Sequence, residues 1–437
     1  MSRTERFVED YRRFVAQSAV PGWLAPLREA AISRFAARGF PTTREEDWKY
    51  TNVTRLVNVG FRPAFDSGAA AAVAVPSLLG DGAASRLVFV NGRFAGDASF
   101  GVDPPRGLRV RSLATAFAEG SVGVERHLTR HAAFDRNGFT ALSTAFLADG
   151  AVIEVDDRVG LDRPIEVVFA SDGRDQERIG YPRLLVVCGR ETEVTVVETY
   201  VSIDGSPTLT NAVAEIVLGE GSRLGHVRLV RDGAGGSHVA TTAVMLGRDS
   251  LYASTALALR ASFCRHELDV RIAGEGALCS LNGLYLVAGK DFVDNHTSIE
   301  HAVPHGTSRE LYKGVLAGEA RAVFNGKVIV RPNAQKSDAQ QTNKNLLLSA
   351  RAEIDSKPEL QILADDVKCT HGAAIGQLDP DAVFYLKSRG IGDSAGRRLL
   401  MRGFANEVVQ RIPPDALRAA VEAAVFERLE EIFAEEP

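Results

Sequence analysis

Leu218-Gly219-Glu220-Gly221-Ser222 is followed by Leu246-Gly247-Arg248-Asp249-Ser250 and then by Ala273-Gly274-Glu275-Gly276-Ala277, at intervals of about 28 and 27 residues. Ala317-Gly318-Glu319-Ala320 and Ser349-Ala350-Arg351-Ala352 resemble the same turn at irregular spacing. Short β-rich runs fill the gaps, and Val194 and Val196 alternate with Glu193 and Thr195 in the period of a half-buried strand. Turns recurring through strand-rich sequence suit the stacked coils of a solenoid, in which each rung buries its apolar residues against the next. Almost no helical period occurs from Ala151 to Gln361, which is too much strand for an ordinary sandwich. The Asn/Gln-rich run from Asn333 to Asn345 is expected to stack its amides at the solenoid corners. The expected fold class is mainly β, a β-helix, with a sandwich or barrel as its competitor.

Outward from this core the period changes to that of helices. Phe7, Tyr11 and Phe14 form one apolar stripe, and Trp23, Leu27 and Phe35 form another, ended by Gly39 and Pro41. Thr43-Arg44-Glu45-Glu46 has the form of a capping box and predicts a further helix start. The Ala- and Gly-rich stretch from Asp66 to Gly82 reads as a flexible linker. At the other end, Asp379-Pro380 is an N-cap followed by proline at the first helical position. Two more amphipathic runs follow, one carrying Leu400, Phe404, Val408 and Ile412, the other Leu417, Val421, Val425, Leu429 and Ile432. Three such helices present more apolar surface than they can bury alone, so it must pack on the β core or on another protein. The expected division is residues 1–85 (helical, with linker), 86–378 (β-helix) and 379–437 (helical).

The chain has 437 residues, 45% hydrophobic and 24% charged, as an ordinary globular protein does. A net charge of −5 and a pI near 6.1 make nucleic acid a poor partner. No run of 18 apolar residues is present, so no membrane span is expected. Met1-Ser2-Arg3-Thr4-Glu5-Arg6 lacks a signal-peptide core, and the expected compartment is the cytoplasm. Four scattered cysteines (Cys188, Cys264, Cys279, Cys369) form no disulfide framework, and the first three read as small buried hydrophobes.

The sequence carries no P-loop, dinucleotide fingerprint, HExxH or GxSxG. Whatever energy source the protein uses must therefore come from elsewhere. Cys264 and His266 are two residues apart, as are Cys369 and His371. On a strand that spacing puts both side chains on one face. A thiolate beside an imidazole suits a soft metal, iron–sulfur or zinc among them. Two ligands fall short of the four a closed site wants, so a site at Cys369 and His371 would have to draw ligands from elsewhere in the chain or from a partner. His296, His301 and His305 sit in polar strand-and-turn sequence, where corner hydrogen bonding accounts for them.

Lys368-Cys369-Thr370-His371-Gly372-Ala373-Ala374-Ile375-Gly376-Gln377-Leu378-Asp379, followed by Phe384-Tyr385-Leu386-Lys387-Ser388-Arg389-Gly390-Ile391, resembles the signature of the SufB/SufD family. Glu310-Leu311-Tyr312-Lys313-Gly314-Val315 and Gln340-Gln341-Thr342-Asn343-Lys344-Asn345-Leu346-Leu347-Leu348 resemble the same family. Pro41-Thr42-Thr43-Arg44-Glu45-Glu46-Asp47-Trp48-Lys49-Tyr50-Thr51 is similar to a segment of its SufD branch. The resemblance spans nearly the whole chain. It implies a right-handed parallel β-helix between two helical domains, in a non-catalytic scaffold subunit that assembles with SufB and two copies of the ATPase SufC. It further implies that the nascent iron–sulfur cluster is held transiently at the SufB–SufD interface, with His371 a candidate ligand and Cys369 the weaker one. The C-terminal helices would then receive SufC, with Phe384, Tyr385, Leu386, Arg389, Leu400 and Phe404 as candidate SufC-facing or core-packing residues. For reduced flavin in the complex the residues carry no reading.

The nearest rival is a SufB-like scaffold. Where SufB has glutamate after the matching histidine, this chain has Gly372, and Leu386 stands where SufB typically has cysteine. A β-helix polysaccharide lyase or hydrolase is a second alternative, and a purely structural homodimer a third.

Overall fold

In the computed structural model every residue is described except 1, 2, 19, 65–74, 76, 102–104, 174, 175, 204, 436 and 437. The repeated turn is the unit from which the fold is built. Its fourth position has positive φ in all three copies, at Gly221, Asp249 and Gly276. Glycine takes that conformation without the steric penalty of a Cβ. The second position lies against the coil before it. A Cβ on Gly247 would fall 2.7 Å from the Leu218 carbonyl oxygen, which instead accepts the Gly247 N–H at 2.9 Å.

Between the turns the chain lays down parallel strands in two stacked columns. Leu278–Val287, Thr307–Leu316, Asp338–Leu347 and Lys368–Gly376 follow one another in the first. Phe292–His301, Arg321–Val330 and Glu353–Ile362 form the second. Earlier in the chain, the long strands Arg223–Leu246 and Leu251–Ile272 each run through both columns, with register shifts between Val230 and Ser237 marking the bend. The result is a parallel β-solenoid of about 8 turns with helical parts before and after it. Alternate residues point into the bore and pack in rows. Val194, Leu224, Tyr252 and Cys279 form one row of its apolar core.

Helices cover both outer faces. α1 (Arg3–Gln17) and α2 (Ala25–Arg38) form where the stripes predict them, and Gly39 ends α2 with φ 72° and a 2.7 Å N–H bond to the Phe35 carbonyl. The expected capping box is displaced by one residue. Glu45 Oε1 accepts the Thr42 N–H at 3.0 Å, and the segment makes only a single 3-10 turn, Glu46–Trp48. Short helices follow at α3 (Thr54–Asn58), α4 (Leu113–Ala118), α5 (Val122–His127) and α6 (Gly138–Ala145). Phe7, Phe14, Phe35, Trp48 and Phe139 pack as an aromatic cluster onto Tyr181, Leu209 and Val239 of the second face. Much of the linker expected between Asp66 and Gly82 lies outside the described residues. Its described end is anchored, since Ser77 Oγ and Leu78 N–H bond the buried Glu166 carboxylate at 2.6 and 2.7 Å.

Three helices close the chain: α7 (Pro380–Ser388), α8 (Asp393–Val409) and α9 (Asp415–Glu435). The Asp379 carboxylate accepts the Asp381 N–H at 2.9 Å, as an N-cap does. Met401, Val408, Leu417, Val421 and Val425 of α8 and α9 pack on Val227, Leu229, Leu257, Leu284 and Val315 of the first outer face. Most of the spare apolar surface is thus spent on the β core. Among the described residues, no helix is long and apolar enough to cross a membrane.

The Asn/Gln-rich run divides between corner and bore. Gln335 does bridge two corner turns, its Oε1 accepting the Asp366 N–H at 2.9 Å. Gln341, Asn343 and Asn345, by contrast, lie on a strand and point into the bore, because they fall on the alternate positions of Asp338–Leu347 that face inward.

Candidate functional site

The last strand, Lys368–Gly376, pairs with Asp338–Leu347 alone among the described strands, so its other edge carries unpaired N–H and C=O groups. Register sets Cys369 beneath Ala339, His371 beneath Gln341, Ala373 beneath Asn343 and Ile375 beneath Asn345. All four upper residues are buried in the bore. The same rows are open one coil later: Cys369 is half-buried, and His371, Ala373 and Ile375 are exposed. His371 thus belongs to an interior row and is uncovered only because the solenoid stops there.

Polar residues fill the bore just above this end. Gln341 Nε2 donates to Glu310 Oε2 at 2.7 Å. Asn343 Nδ2 donates to the Tyr285 hydroxyl at 3.1 Å and Asn345 Nδ2 to Asn343 Oδ1 at 2.7 Å. Ser356 Oγ, from the other column, donates to Asn343 Oδ1 at 2.8 Å. Burial pushes the Glu310 carboxyl up to about 7. Burial likewise raises the Cys369 thiol, which favours its neutral form in this state of the chain. Among the described residues no group of three or more His, Cys, Asp or Glu could hold a metal ion.

The other candidate groups have partners. Cys264 and His266 do share the inward face of one strand, as their spacing predicts. Yet His266 Nε2 bonds Thr242 Oγ1 at 3.0 Å, and burial pushes the Cys264 thiol up to about 12. His296 faces outward, its Nε2 3.0 Å from Asp294 Oδ1, on the wall of a cleft of about 510 Å³ shared with Glu46, Arg136, Lys327 and Lys357. His301 Nε2 meets Ser308 Oγ at 2.9 Å, and His305 occupies a corner turn with φ 61°. Cys188 and Cys279 are buried in the core.

The residues singled out on the C-terminal helices separate by exposure. Phe384 and Tyr385 are 71% and 58% exposed, and the Arg389 guanidinium lies 5.3 Å from the Tyr385 ring centre. Leu386 turns toward α8, where it is the neighbour a Cβ on Gly396 would meet. Leu400 is half-buried. Phe404 packs against the outer face, with Lys313 Nζ 3.7 Å from its ring centre.

Comparison with known proteins accounts for most of the chain. Residues 169–404 match the family model described as SUF system FeS cluster assembly, SufBD core domain. Residues 4–167 match the SufBD protein N-terminal region. The chain belongs to the SufBD family. It is 35% identical over 407 residues to an iron–sulfur cluster assembly SufBD family protein of Synechocystis, covering 91% of this chain and 89% of that one. It is 28% identical over 422 residues to the iron–sulfur cluster assembly protein SufD of Escherichia coli, covering 93% of each. The Bacillus subtilis protein of the same name is 27% identical over 327 residues, 74% of each chain. Membership in the SufBD family gives the chain a role in iron–sulfur cluster assembly.

Gln341 and Glu310 were not singled out as site residues from the sequence. Both fall within stretches that resemble the family, but their side chains meet across 31 positions, which only the coil register reveals.

Proposed function

We propose that this chain is a non-catalytic, SufD-type scaffold subunit that works in the cytoplasm with SufB and SufC. In this reading a nascent iron–sulfur cluster is built as cargo at the interface with SufB, and SufC hydrolyses the ATP. The observation that carries it is the open last coil, where an interior row ends in the exposed imidazole of His371 beside an unpaired strand edge. An unpaired edge is a template for a second chain. A lone imidazole beside a thiol is an incomplete ligand set, and a second chain would supply the remainder. Gly372 after His371 removes a carboxylate that a self-sufficient site would use.

Phe384 and Tyr385 support a docking surface for SufC on α7, since two large rings stand in solvent on a helix otherwise anchored through Leu386. In this division residues 379–437 both cap the core and present the partner surface.

Co-expression with SufB and SufC, followed by anaerobic reconstitution, tests the reading. The expected result is a stable ternary complex that builds a cluster. His371→Ala is expected to leave the complex intact and to lower its iron and sulfide content. Normal iron and sulfide in that variant would remove His371 from the site, and failure to form the complex would sink the scaffold reading.

A further inference from the structure

We propose that Gln341 is a positioning residue for His371, its side-chain oxygen accepting one imidazole N–H so that the other ring nitrogen faces out of the open end. The inference deepens the reading of His371 as a ligand and rests on it for the effect on cluster assembly. Its structural part, the orientation of the ring, stands by itself.

Three observations carry it. Gln341 and His371 are register partners on the same inward face of adjacent parallel strands, whose backbones run about 4.8 Å apart. Stacked polar side chains at that spacing are within bonding reach of each other. Gln341 also has a set orientation, because Nε2 donates to Glu310 Oε2 at 2.7 Å and Oε1 is thereby left for another donor. That Oε1 is buried without a partner in the isolated chain, a costly condition that an imidazole N–H one coil below would relieve. Finally, the surroundings make room for Gln341. A Cβ on Gly326, across the bore, would collide with its Nε2.

Among the described protein groups around it, His371 has few competing acceptors. Its same-face neighbours on the strand are Cys369 and Ala373. Asn343 Oδ1, in the row beside Gln341, already receives Asn345 and Ser356. Ligating histidines as a rule donate their second ring N–H to an oxygen that fixes the tautomer, and loss of that oxygen costs roughly 10–100-fold in metal affinity. Gln341, oriented in turn by Glu310, is the oxygen the coil register offers.

Nitrogen-15 NMR of the histidine rings in the complex with SufB and SufC, with this chain alone labelled, is the direct test, since Gln341 Oε1 has no partner in the isolated chain. The His371 signals are assigned from their loss in His371→Ala. The expected spectrum has His371 in a single tautomer in the wild type, and in the mixture of free imidazole in Gln341→Met. Equal tautomer distributions in the two proteins would overturn the proposal. Where Gln341→Met does not fold, a free-imidazole mixture in the wild type overturns it unaided.

The complex reconstituted with SufB and SufC gives the second readout. Gln341→Met is expected to assemble normally and to bind iron roughly ten-fold or more weakly. Unchanged iron affinity there, with His371→Ala defective, counts against Gln341 alone. Unchanged iron and sulfide in His371→Ala counts against the ligand reading, and the tautomer result still decides the orientation of the ring.

Discussion

Lys313 Nζ lies 2.7 Å from Glu407 Oε2, a close ion pair that joins the outer face of the solenoid to α8, with Lys344 Nζ 3.9 Å from the same oxygen. Lys313 is buried and its ammonium is pushed below the usual lysine range by that burial, whereas Glu407 remains partly in solvent. Removing Glu407 leaves a buried ammonium next to the Phe404 ring with little else to balance it. Glu407→Ala is expected to cost about 1–3 kcal/mol, below the ~3–5 of a wholly buried pair because water still reaches one partner. Urea unfolding of the two proteins measures it. No change in midpoint would mean that apolar packing alone holds α8 in place.

Glu310 should make stability fall as pH rises. Its folded carboxyl sits near 7 against an ordinary value near 4.5, so between those values the folded chain holds the extra proton. The destabilisation is absent below pH 4.5, grows as pH climbs and is complete above 7, reaching at most about 3 kcal/mol. Glu310→Gln, which cannot ionise, is expected to gain on the wild type in urea midpoint between pH 5 and pH 8. A pH-independent difference between the two would rule out this titration.

Asp294 shows the opposite dependence. The buried Arg265 guanidinium is the main cause that holds its carboxyl down, to about 2, against the pull of burial. Stability from this group is present above about 3.8 and is lost as pH falls through 2. Arg265 also donates to the Asp47 carbonyl at 2.8 Å and lies 3.7 Å from the Trp48 ring centre, while Thr51 bonds Asp294. Asp294→Asn should therefore cost about 3 kcal/mol and loosen the segment around Trp48. Faster hydrogen exchange confined to residues 45–53 is the expected signature, and uniform exchange across the chain would contradict it.

Phe384 and Tyr385 should matter to a partner and not to the fold. Alanine at both is expected to shift stability by less than about 0.5 kcal/mol, since exposed side chains contribute little packing. Affinity for SufC is expected to fall at least ten-fold, about 1.4 kcal/mol, as for aromatic residues at an interface. Titration calorimetry with purified SufC decides, and undiminished binding would move the docking surface elsewhere.

Local patterns were legible in the sequence because their causes are local. Alternation of Val194 and Val196 with polar neighbours marks a strand face, and the positive φ of the repeated turn favours glycine, at Gly221 and Gly276, or aspartate, at Asp249, whatever lies around it. Asp379 caps a helix through its own neighbour, Asp381. Where the sequence reading missed, the cause was tertiary. The motif at Thr43 to Glu46 has the letters of a helix start, yet the chain must turn there to bring Trp48 and Thr51 down onto Arg265 and Asp294.

The sequence by itself determined the strand-rich, repeating core and its helical ends, because strand period, turn chemistry and capping act over a few residues. Tertiary structure alone decided that Glu310, Gln341 and His371 form one interior row. Each is about 30 residues from the next, and only the stacking register brings them together. Tertiary structure also decided that the row ends in the open: the residues above His371 are covered by a further coil, and at Lys368–Gly376 the coils run out.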